Sequence, residues 1–466
     1  MNLSTQSPTP SGTTDPTLEQ DAREQCRRYG LRDGACQAIT QGGGEQYLSA
    51  FALLLQASPF QLSLLSALPQ LIGTVAQIAS VKLLRWFPDR KALIRTGTIG
   101  QALAWIPIVA LPLLFPSFGP WLIIIGTALY FACSHFIAPT WNSLIADHLD
   151  QHERGAYFAQ RAKIIASVSF LALGSAGWLL SLWQHESFAW LGFALAFAVA
   201  AIARLVSARA LTCVLDIHHP AHRNRQEGFR SFLSTMPMSF RRFLLFSGLM
   251  HAAVLIAGPF FVVYMIRDLH WSYLNYGTWL AAGILGQLMT LNAWGRIGDQ
   301  FGNKALLTVT GFMVPFLPML YLLSDSFGLL LAINYLGGVT WGGLSLGLQN
   351  YVFDAVQRED RAKAVAISTT VNVVGWCIGA LLGGWLVEAL PPRINAGPMS
   401  LTLVSSLPLV FFVSGLLRLA VSASLLRTFE EARAVQKARV LDLIRELPLL
   451  KPLAQFAADQ PFRTNK

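Results

Sequence analysis

The sequence predicts an all-α integral membrane protein whose twelve transmembrane helices form two pseudo-symmetric six-helix bundles. Three features predict it: the composition, recurrent apolar runs and an internal repeat. Of the 466 residues, 53% are hydrophobic and only 13% are charged, whereas a soluble protein carries about 25% charged residues. A chain near this size buries only about 75% of its surface on folding, so lipid must solvate part of this apolar surface.

Apolar runs recur along the whole chain, each long enough to cross a hydrocarbon core of about 30 Å. The polar stretch that precedes them does not resemble a signal peptide and predicts a disordered tail. The five cysteines are scattered, which predicts free thiols that behave as small apolar side chains. The twelve runs lie at 35–56, 60–81, 92–115, 120–145, 160–183, 188–212, 243–266, 273–297, 304–323, 326–349, 364–388 and 400–426.

The net charge of +10 is better explained by membrane topology than by binding to nucleic acid. With both termini inside, the outer segments carry only two basic residues, Arg267 and Arg393, and 33 of the 35 Lys and Arg lie on the inner side. This bias is the positive-inside rule. We therefore expect a monomeric multi-pass protein of a bacterial cytoplasmic membrane, with both termini cytoplasmic and no nucleic-acid partner.

Six runs precede and six follow the longest polar interruption, residues 214–240. This symmetry divides the chain into two similar halves with polar flanks. The predicted segments are a disordered cytoplasmic tail at 1–27, an N-terminal bundle at 28–213, a cytoplasmic linker at 214–240, a C-terminal bundle at 241–427 and an amphipathic cytoplasmic tail at 428–466.

An internal repeat supports the two halves. Asp147 and Arg154 lie seven residues apart, as Asp354 and Arg361 do, and the two pairs are 207 residues apart. A second repeated position is Asp89, which corresponds to Asp299, 210 residues later. Both repeated features fall in short inner loops, which indicates that the halves share one topology.

The segment GRIGDQFGNK, residues 295–304, resembles the loop signature of the major facilitator superfamily. Gly295, Asp299, Gly302 and Lys304 match the signature, and Gln300 stands where a basic residue is usual. The first-half copy, RWFPDRKALIR, keeps the Asp and two basic residues but lacks both glycines. The resemblance covers residues 28–427. It implies two bundles with a solute site between them near the midplane, and transport by rocking of the halves.

In this family the signature Asp holds opposed helices together at their inner ends while the cavity faces outward. By this resemblance, Asp299 would engage the fifth helix near Arg154 or Arg161. Asp89 would likewise engage the start of the eleventh helix near Arg361 or Lys363. The alternative is that these loop charges only set topology. The candidate gating residues are Asp89, Arg90, Gly295, Asp299, Gly302, Lys304, Asp147, Arg154, Arg161, Asp354 and Arg361.

Glu45 lies near the middle of the first run, where a charge costs about 3 kcal/mol on insertion scales. The triple glycine at 42–44 permits close helix approach or local unwinding beside it. We predict that Glu45 is a proton-coupling or solute-anchoring carboxylate that faces the gap between the bundles. The alternative is a protonated Glu that only hydrogen-bonds to a neighbouring helix. A helical stripe around it comprises Gln41, Glu45, Ser49, Ala52 and Gln56.

Other polar residues in the runs are candidates for the same site. His135 and His251 would partner Glu45, or else remain neutral between helices. Amides and tryptophans suit hydroxyl-rich or amphipathic organic solutes, because amides both donate and accept while indoles stack. For each one the alternative is an interhelical hydrogen bond. The remaining candidates are Gln41, Gln46, Gln70, Gln77, Asn275, Asn334, Asn372 and Trp376.

The sequence thus predicts a proton-coupled secondary transporter of a small organic solute, working by alternating access. One alternative is a drug–proton antiporter, although the fifth run lacks the Gly-Pro of that signature. Another is a transporter-like sensor or assembly partner, which the degenerate first loop leaves open. We expect no enzyme activity, cofactor or metal. The segment GLSLG at 343–347 matches a serine-hydrolase pattern but lies inside an apolar run, without the strand-to-helix turn which that chemistry needs.

Overall fold

The computed structural model describes residues 16–149, 154–184, 188–214, 232, 236–391, 393–396, 399–402, 405–433 and 435. In this part of the chain a helix lies at each of the twelve predicted runs. The predicted all-α membrane fold is therefore confirmed, apart from one short hairpin described below.

The N-terminal half contains six helices, two of them interrupted. Their bounds are α1, Pro16–Gly43, continued after a 3-10 turn at Glu45–Tyr47 as Leu48–Leu54; α2, Pro59–Leu83; α3, Arg90–Leu103, continued as Trp105–Leu114; α4, Gly119–His148; α5, Arg154–Trp183; and α6, Ala189–Thr212.

The C-terminal half repeats this order and adds a two-stranded hairpin. Its elements are α7, Met238–Ala257, extended by turns to Asp268; α8, Tyr273–Phe301; α9, Asn303–Met313, continued as Phe316–Met319; α10, Phe327–Asp354; α11, Arg361–Ala389; β1, Arg393–Ala396; β2, Met399–Thr402; and α12, Leu407–Leu425.

Two boundaries differ from the prediction. Residues 16–27, expected to be disordered, belong to the helix that begins at Pro16. The twelfth run begins as β2, paired antiparallel with β1, because Pro391, Pro392 and Pro398 interrupt helix formation around it. Most of the predicted linker and of the C-terminal tail lies outside the described residues.

Ten helices in the described part are long and apolar enough to cross a membrane. The other two predicted spans are α1 and α8. The first is broken at Gly44 into shorter pieces. The second is less apolar, since it carries Asn275, Gln287, Asn292, Arg296 and Asp299.

Short loops turn the helices back, and side chains cap the helix starts they lead into. Ser58 and Gln61 form a capping box at the start of α2, with Pro59 at the first helical position. Asp89 caps α3 by accepting a hydrogen bond from the amide N–H of Ala92 at 2.6 Å. These caps satisfy backbone donors that a helix leaves free at its start.

Glycines bring helix backbones into direct contact. A methyl group at Gly42 of α1 would overlap the carbonyl oxygen of Ser169 in α5. In α11, Gly375, Gly379 and Gly383 face successive carbonyl oxygens of α7 in the same way. Lipid supplies no hydrophobic force between helices, so close packing of this kind holds the bundles together.

The two bundles meet at one end of the molecule. We call the end that carries Asp89, Asp147, Asp299 and Asp354 the inner end, and the opposite end the outer end. At the outer end, the Tyr47 ring packs edge-on against Tyr276 of α8, with centroids 6.1 Å apart.

Further contacts at the outer end join α5 to α8 and α2 to α11. The Gln184 side chain, just after α5, accepts a hydrogen bond from Tyr273 N at 3.0 Å and donates one to Trp271 O at 3.1 Å. Gly384 of α11 lies against Ser63 of α2. The outer end is therefore closed by helices of both bundles.

We predict that Gly42→Ala destabilises the protein by about 1–3 kcal/mol, since the added methyl forces α1 and α5 apart. Gly43→Ala is the matched control, because a methyl there would have no neighbour nearer than 3.8 Å. Thermal unfolding of both variants in detergent measures the difference. Equal midpoints would contradict the close α1–α5 contact.

Candidate functional site

Two polar cavities lie in the inner halves of the two bundles. The first, of about 320 Å³, is lined by residues of α1, α2, α4, α5 and α6 that include Asp33, Gln77 and His135. The second, of about 260 Å³, is lined by α7, α10 and α11 with His251 and Asn372. The cavities are counterparts in the repeat, since both use the inner part of the fourth helix of their bundle.

A buried ion cluster borders the first cavity. Asp33, 2% exposed, lies 3.1 Å from Arg161 Nη2 and 3.2 Å from Arg204 Nη1. Ser207 Oγ donates to the same carboxylate at 2.6 Å, and Arg204 Nε donates to Gln101 Oε1 at 2.6 Å. A single carboxylate thus holds α1, α5 and α6 together, because each buried charge needs a partner.

Glu45 is joined to α4 and lies close to this cluster. Tyr130 Oη, fully buried on α4, donates to Glu45 Oε1 at 2.5 Å. The Gln101 side chain lies beside the Tyr130 hydroxyl, and Arg204 acts on Glu45 through its charge. The carboxylate therefore lies within the N-terminal bundle, among α3, α4 and α6, whereas the sequence predicted that it faces the gap between the bundles.

The helical stripe predicted around Glu45 is wrong. The chain leaves α-helical geometry at Gly44 and resumes it at Leu48, so residues on either side of the break no longer share a face. Gln46 is exposed, and Gln56 follows the end of the helix with φ +60°. The triple glycine provides both predicted features, since Gly42 contacts α5 and the helix unwinds at Gly44.

The histidines lie in separate bundles and neither hydrogen-bonds to Glu45 within the described residues. His135 lines the first cavity. His251 Nδ1 lies 2.8 Å from Ser247 O, and its ring meets Trp341 with centroids 6.0 Å apart. No cluster of metal-binding side chains occurs in the described part of the chain, where all five cysteines are free thiols.

The predicted amides are distributed over several locations. Gln77 lines the first cavity and Asn372 the second, where its Oδ1 accepts a hydrogen bond from Ser247 Oγ at 2.6 Å. Asn334 Nδ2 donates to Trp279 O at 2.5 Å in a third cavity. Three others do not line these cavities: Gln70 is partly buried in α2, Asn275 lies in the first turn of α8, and Trp376 packs against α2 and α7.

Among the described side chains, the predicted contacts of Asp89 and Asp299 across the bundles are not formed. Asp89 caps its own helix, and Asp299 is exposed. Arg161, expected to meet Asp299, is instead held by Asp33. Among the described side chains, no hydrogen bond or ion pair joins either Asp to the opposite bundle; the Arg154 side chain lies outside this set. In the described part of the inner ends, these aspartates therefore do not join the bundles as Tyr47 and Gln184 do at the outer end.

The remaining loop residues tie helices together within each bundle. Arg90 pairs with Asp147, which joins α3 to α4. Asp354 accepts a hydrogen bond from Asn303 Nδ2 at 2.6 Å, which joins α9 to α10 in the same way. The repeated aspartates thus have equivalent neighbours. Two other candidate residues make no contact with the opposite bundle among the described residues. Arg361 Nε donates to Phe353 O of its own bundle at 3.2 Å. A methyl group at Gly295 would have no described neighbour within 4 Å.

The segment after α12 packs onto the signature loop. Gly302 has φ +89°, which side chains disfavour, and this turn exposes the Lys304 amide N–H to Glu431 Oε2 at 2.7 Å. Arg433 lies 3.0 Å from Asp354 and donates to Gly298 O at 2.8 Å. The signature loop is therefore fixed by residues beyond the twelfth helix.

Sequence reasoning missed most of the buried polar cluster and one cation. Arg204 and Arg418 were counted among the inner charges, but they are buried in α6 and α12, at 1% and 5% exposure. An arginine inside an apolar run was the signal that could have found both. Gln101 and Tyr130 gave no comparable signal, because their roles depend on helices that meet only in the fold.

The second half of the chain, residues 243–462, matches the family model of the Major Facilitator Superfamily. Over both halves, the structure superposes on the nucleoside transporter NupG with a TM-score of 0.65 at 14% identity, covering 88% of this chain and 100% of that one. The C-terminal half of the chain therefore matches this superfamily, and the described chain as a whole has the same fold as the nucleoside transporter.

Further similarities are found to transporters of different solutes. A D-xylose–proton symporter superposes with a TM-score of 0.63 at 13% identity, covering 91% of this chain and 100% of that one. A probable peptide/nitrate transporter of Arabidopsis thaliana is 26% identical over 134 residues, 28% of either chain. Multidrug resistance protein 1 of Bacillus subtilis (strain 168) is 24% identical over 124 residues, 27% of this chain and 32% of that one. The matched segments thus span less than a third of these two relatives.

We predict that Asp33→Asn destabilises the N-terminal bundle by about 3–5 kcal/mol, because it leaves buried guanidinium groups without their carboxylate. Asp147→Asn is the control, since that carboxylate is 37% exposed and a surface pair contributes about 1 kcal/mol or less. Thermal unfolding in detergent compares the two. A smaller loss for Asp33→Asn than for Asp147→Asn would refute the assigned role of the cluster.

Proposed function

We propose that this protein is a secondary active transporter of the major facilitator superfamily that moves a small organic solute by alternating access, with proton coupling through Glu45. It acts in a cytoplasmic membrane as a monomer, with both termini on the cytoplasmic side. Its solute passes between the bundles, and the inner-loop aspartates close the inner end in the opposite state.

The observation that supports this proposal is the unequal contact between the bundles. At the outer end they meet through Tyr47, Gln184 and Gly384, whereas Asp89 and Asp299 make no contact across the inner end among the described residues. Polar cavities border this inner part in both halves. This arrangement corresponds to an inward-facing state of a rocking transporter.

The environment of Glu45 supports proton coupling. Its carboxylate accepts a hydrogen bond from Tyr130 on α4 and interacts electrostatically with Arg204 on α6. Protonation of Glu45 would remove a negative charge near Arg204. The electrostatic interaction between Arg204 and Asp33, which borders the cavity, would then change. A proton at Glu45 would thereby alter the forces among α1, α4 and α6.

Efflux of drug-like solutes is the second candidate. The segmental similarity to Multidrug resistance protein 1 of Bacillus subtilis favours it. The direction of solute movement distinguishes drug efflux from solute uptake. An untargeted comparison of metabolites inside and outside a deletion strain and its parent identifies the solute and shows which way it moves.

We predict that Glu45→Gln abolishes solute accumulation driven by a pH gradient while leaving solute exchange without a gradient. Proteoliposomes that carry the solute identified by the metabolite comparison measure both activities. Glu388→Gln is the control, because it removes an equal charge at an exposed site of α11. Unchanged gradient-driven accumulation in Glu45→Gln would remove the coupling role.

We predict that the double variant Ser63→Cys/Gly384→Cys forms a disulfide that stops transport, because α2 and α11 must separate there when the outer end opens. A Cβ built at Gly384 lies 3.1 Å from Ser63 Cβ, close to the separation of about 3.5–4.5 Å in disulfides. Transport should return on reduction, and the single variants should remain active under oxidising conditions. Undiminished transport by the cross-linked protein would exclude opening at this contact.

A further inference from the structure

Arg418 is a buried cation without an acidic neighbour among the described residues. It lies in α12 and is 5% exposed. Its Nε donates to Ser414 Oγ at 3.1 Å, while Nη1 and Nη2 donate to the carbonyl oxygens of Val314 and Val254, each at 3.3 Å. These partners satisfy some of its N–H groups but leave its charge uncompensated.

The N-terminal bundle shows how this fold accommodates a buried arginine. Arg204 lies in α6, the counterpart of α12, and it also has a serine partner, Ser207, at 2.9 Å. There, however, Asp33 lies 3.2 Å away and balances the guanidinium. An isolated buried charge is costly unless it is paired. The two halves therefore differ at Arg418 by one missing anion.

A cavity of about 310 Å³ opens beside Arg418, between α7, α8, α9, α10 and α12. Its wall is mainly apolar and includes an aromatic group: Phe261 lies 4.9 Å from Tyr321 and 5.9 Å from Trp279, measured between ring centroids. The size falls within the range of about 300–1,000 Å³ that small-molecule pockets occupy. The cavity thus combines an apolar body with one cationic end.

This cavity adjoins the inner cavity of the same bundle. Trp341 of α10 lines both of them. Asn334, which the sequence predicted as a binding residue, also lines the aromatic cavity and supplies a polar group beside it. A solute that enters from the inner side would therefore find Arg418 beyond the Trp341 side chain.

We propose that this cavity binds an amphipathic organic anion, with its carboxylate on Arg418 and its apolar or aromatic body against Trp279, Tyr321 and Phe261. Arginine has five N–H donors, and three of them are engaged by the protein. One N–H remains on each terminal nitrogen, which suits the two oxygens of a carboxylate. The proposed site would define the class of solute that is transported. This interpretation rests on the proposed transport function.

Binding of matched acid and amide pairs to the full chain in neutral detergent tests the proposal. The probes are 3-phenylpropionate against 3-phenylpropanamide, benzoate against benzamide, and indole-3-acetate against indole-3-acetamide, measured by calorimetry at neutral pH. Each pair shares one body and differs in charge. We expect at least one acid to bind about 10- to 100-fold tighter than its amide, as a charged hydrogen-bonded pair contributes. If no pair favours the acid, the proposal is overturned.

Arg418→Gln should reduce the affinity for the preferred acid to that for its amide, and Arg418→Lys should retain part of the preference. Arg95→Gln, which removes an exposed charge of α3, should leave it unchanged. Trp279→Leu should weaken acid and amide alike. A preference for the acid that persists in Arg418→Gln would overturn the assignment. If this variant does not fold, the comparison of acids with amides in the natural protein still tests the proposal.

Two further measurements separate this proposal from its rivals. If Arg418 served only to hold α7 and α9, Arg418→Gln would lower the unfolding midpoint; we expect no decrease, since the variant removes an unpaired charge. An anionic lipid headgroup offers the same chemistry, so displacement of the acids by phosphatidylglycerol would overturn the solute assignment. Acid binding without transport would refute the proposed function alone, and transport without a preference for acids would refute this inference alone.

Discussion

Each charge inside the helical bundles needs a compensating partner, and the rest of this structure depends on how that need is met. In the N-terminal bundle, Asp33 pairs with two guanidinium groups from different helices, Arg161 and Arg204. Because removing one member of such a pair leaves a charge in a medium of low dielectric, the cluster fixes the relative positions of three helices. The network that contains Glu45 is built on this fixed cluster.

The C-terminal bundle has the same architecture but a different charge balance. Its arginine, Arg418, is held by a serine and two backbone carbonyl oxygens. The pseudo-symmetric halves therefore share helix order but differ in charge: in one, two arginines share the Asp33 carboxylate, and in the other Arg418 lines a cavity. Such a division is consistent with proton coupling in one bundle and solute binding in the other.

Helix contact through backbone atoms provides the second constraint. Where Gly42, Gly379 and their neighbours meet carbonyl oxygens, no side chain separates the two helices. The contacts between bundles also include a glycine, Gly384 against Ser63, together with aromatic rings and single amides such as Tyr47 and Gln184 at the outer end.

The sequence by itself determined the membrane class, the twelve helices and the two-half repeat, because apolar run length and charge bias follow directly from the bilayer. It also located the unwinding at the triple glycine. Only the tertiary structure decided which polar residues meet: Glu45 binds Tyr130 rather than His251, and Arg161 binds Asp33 rather than Asp299. The physical reason is that helical spacing fixes which residues share a face, whereas the neighbour of that face depends on how the helices are packed.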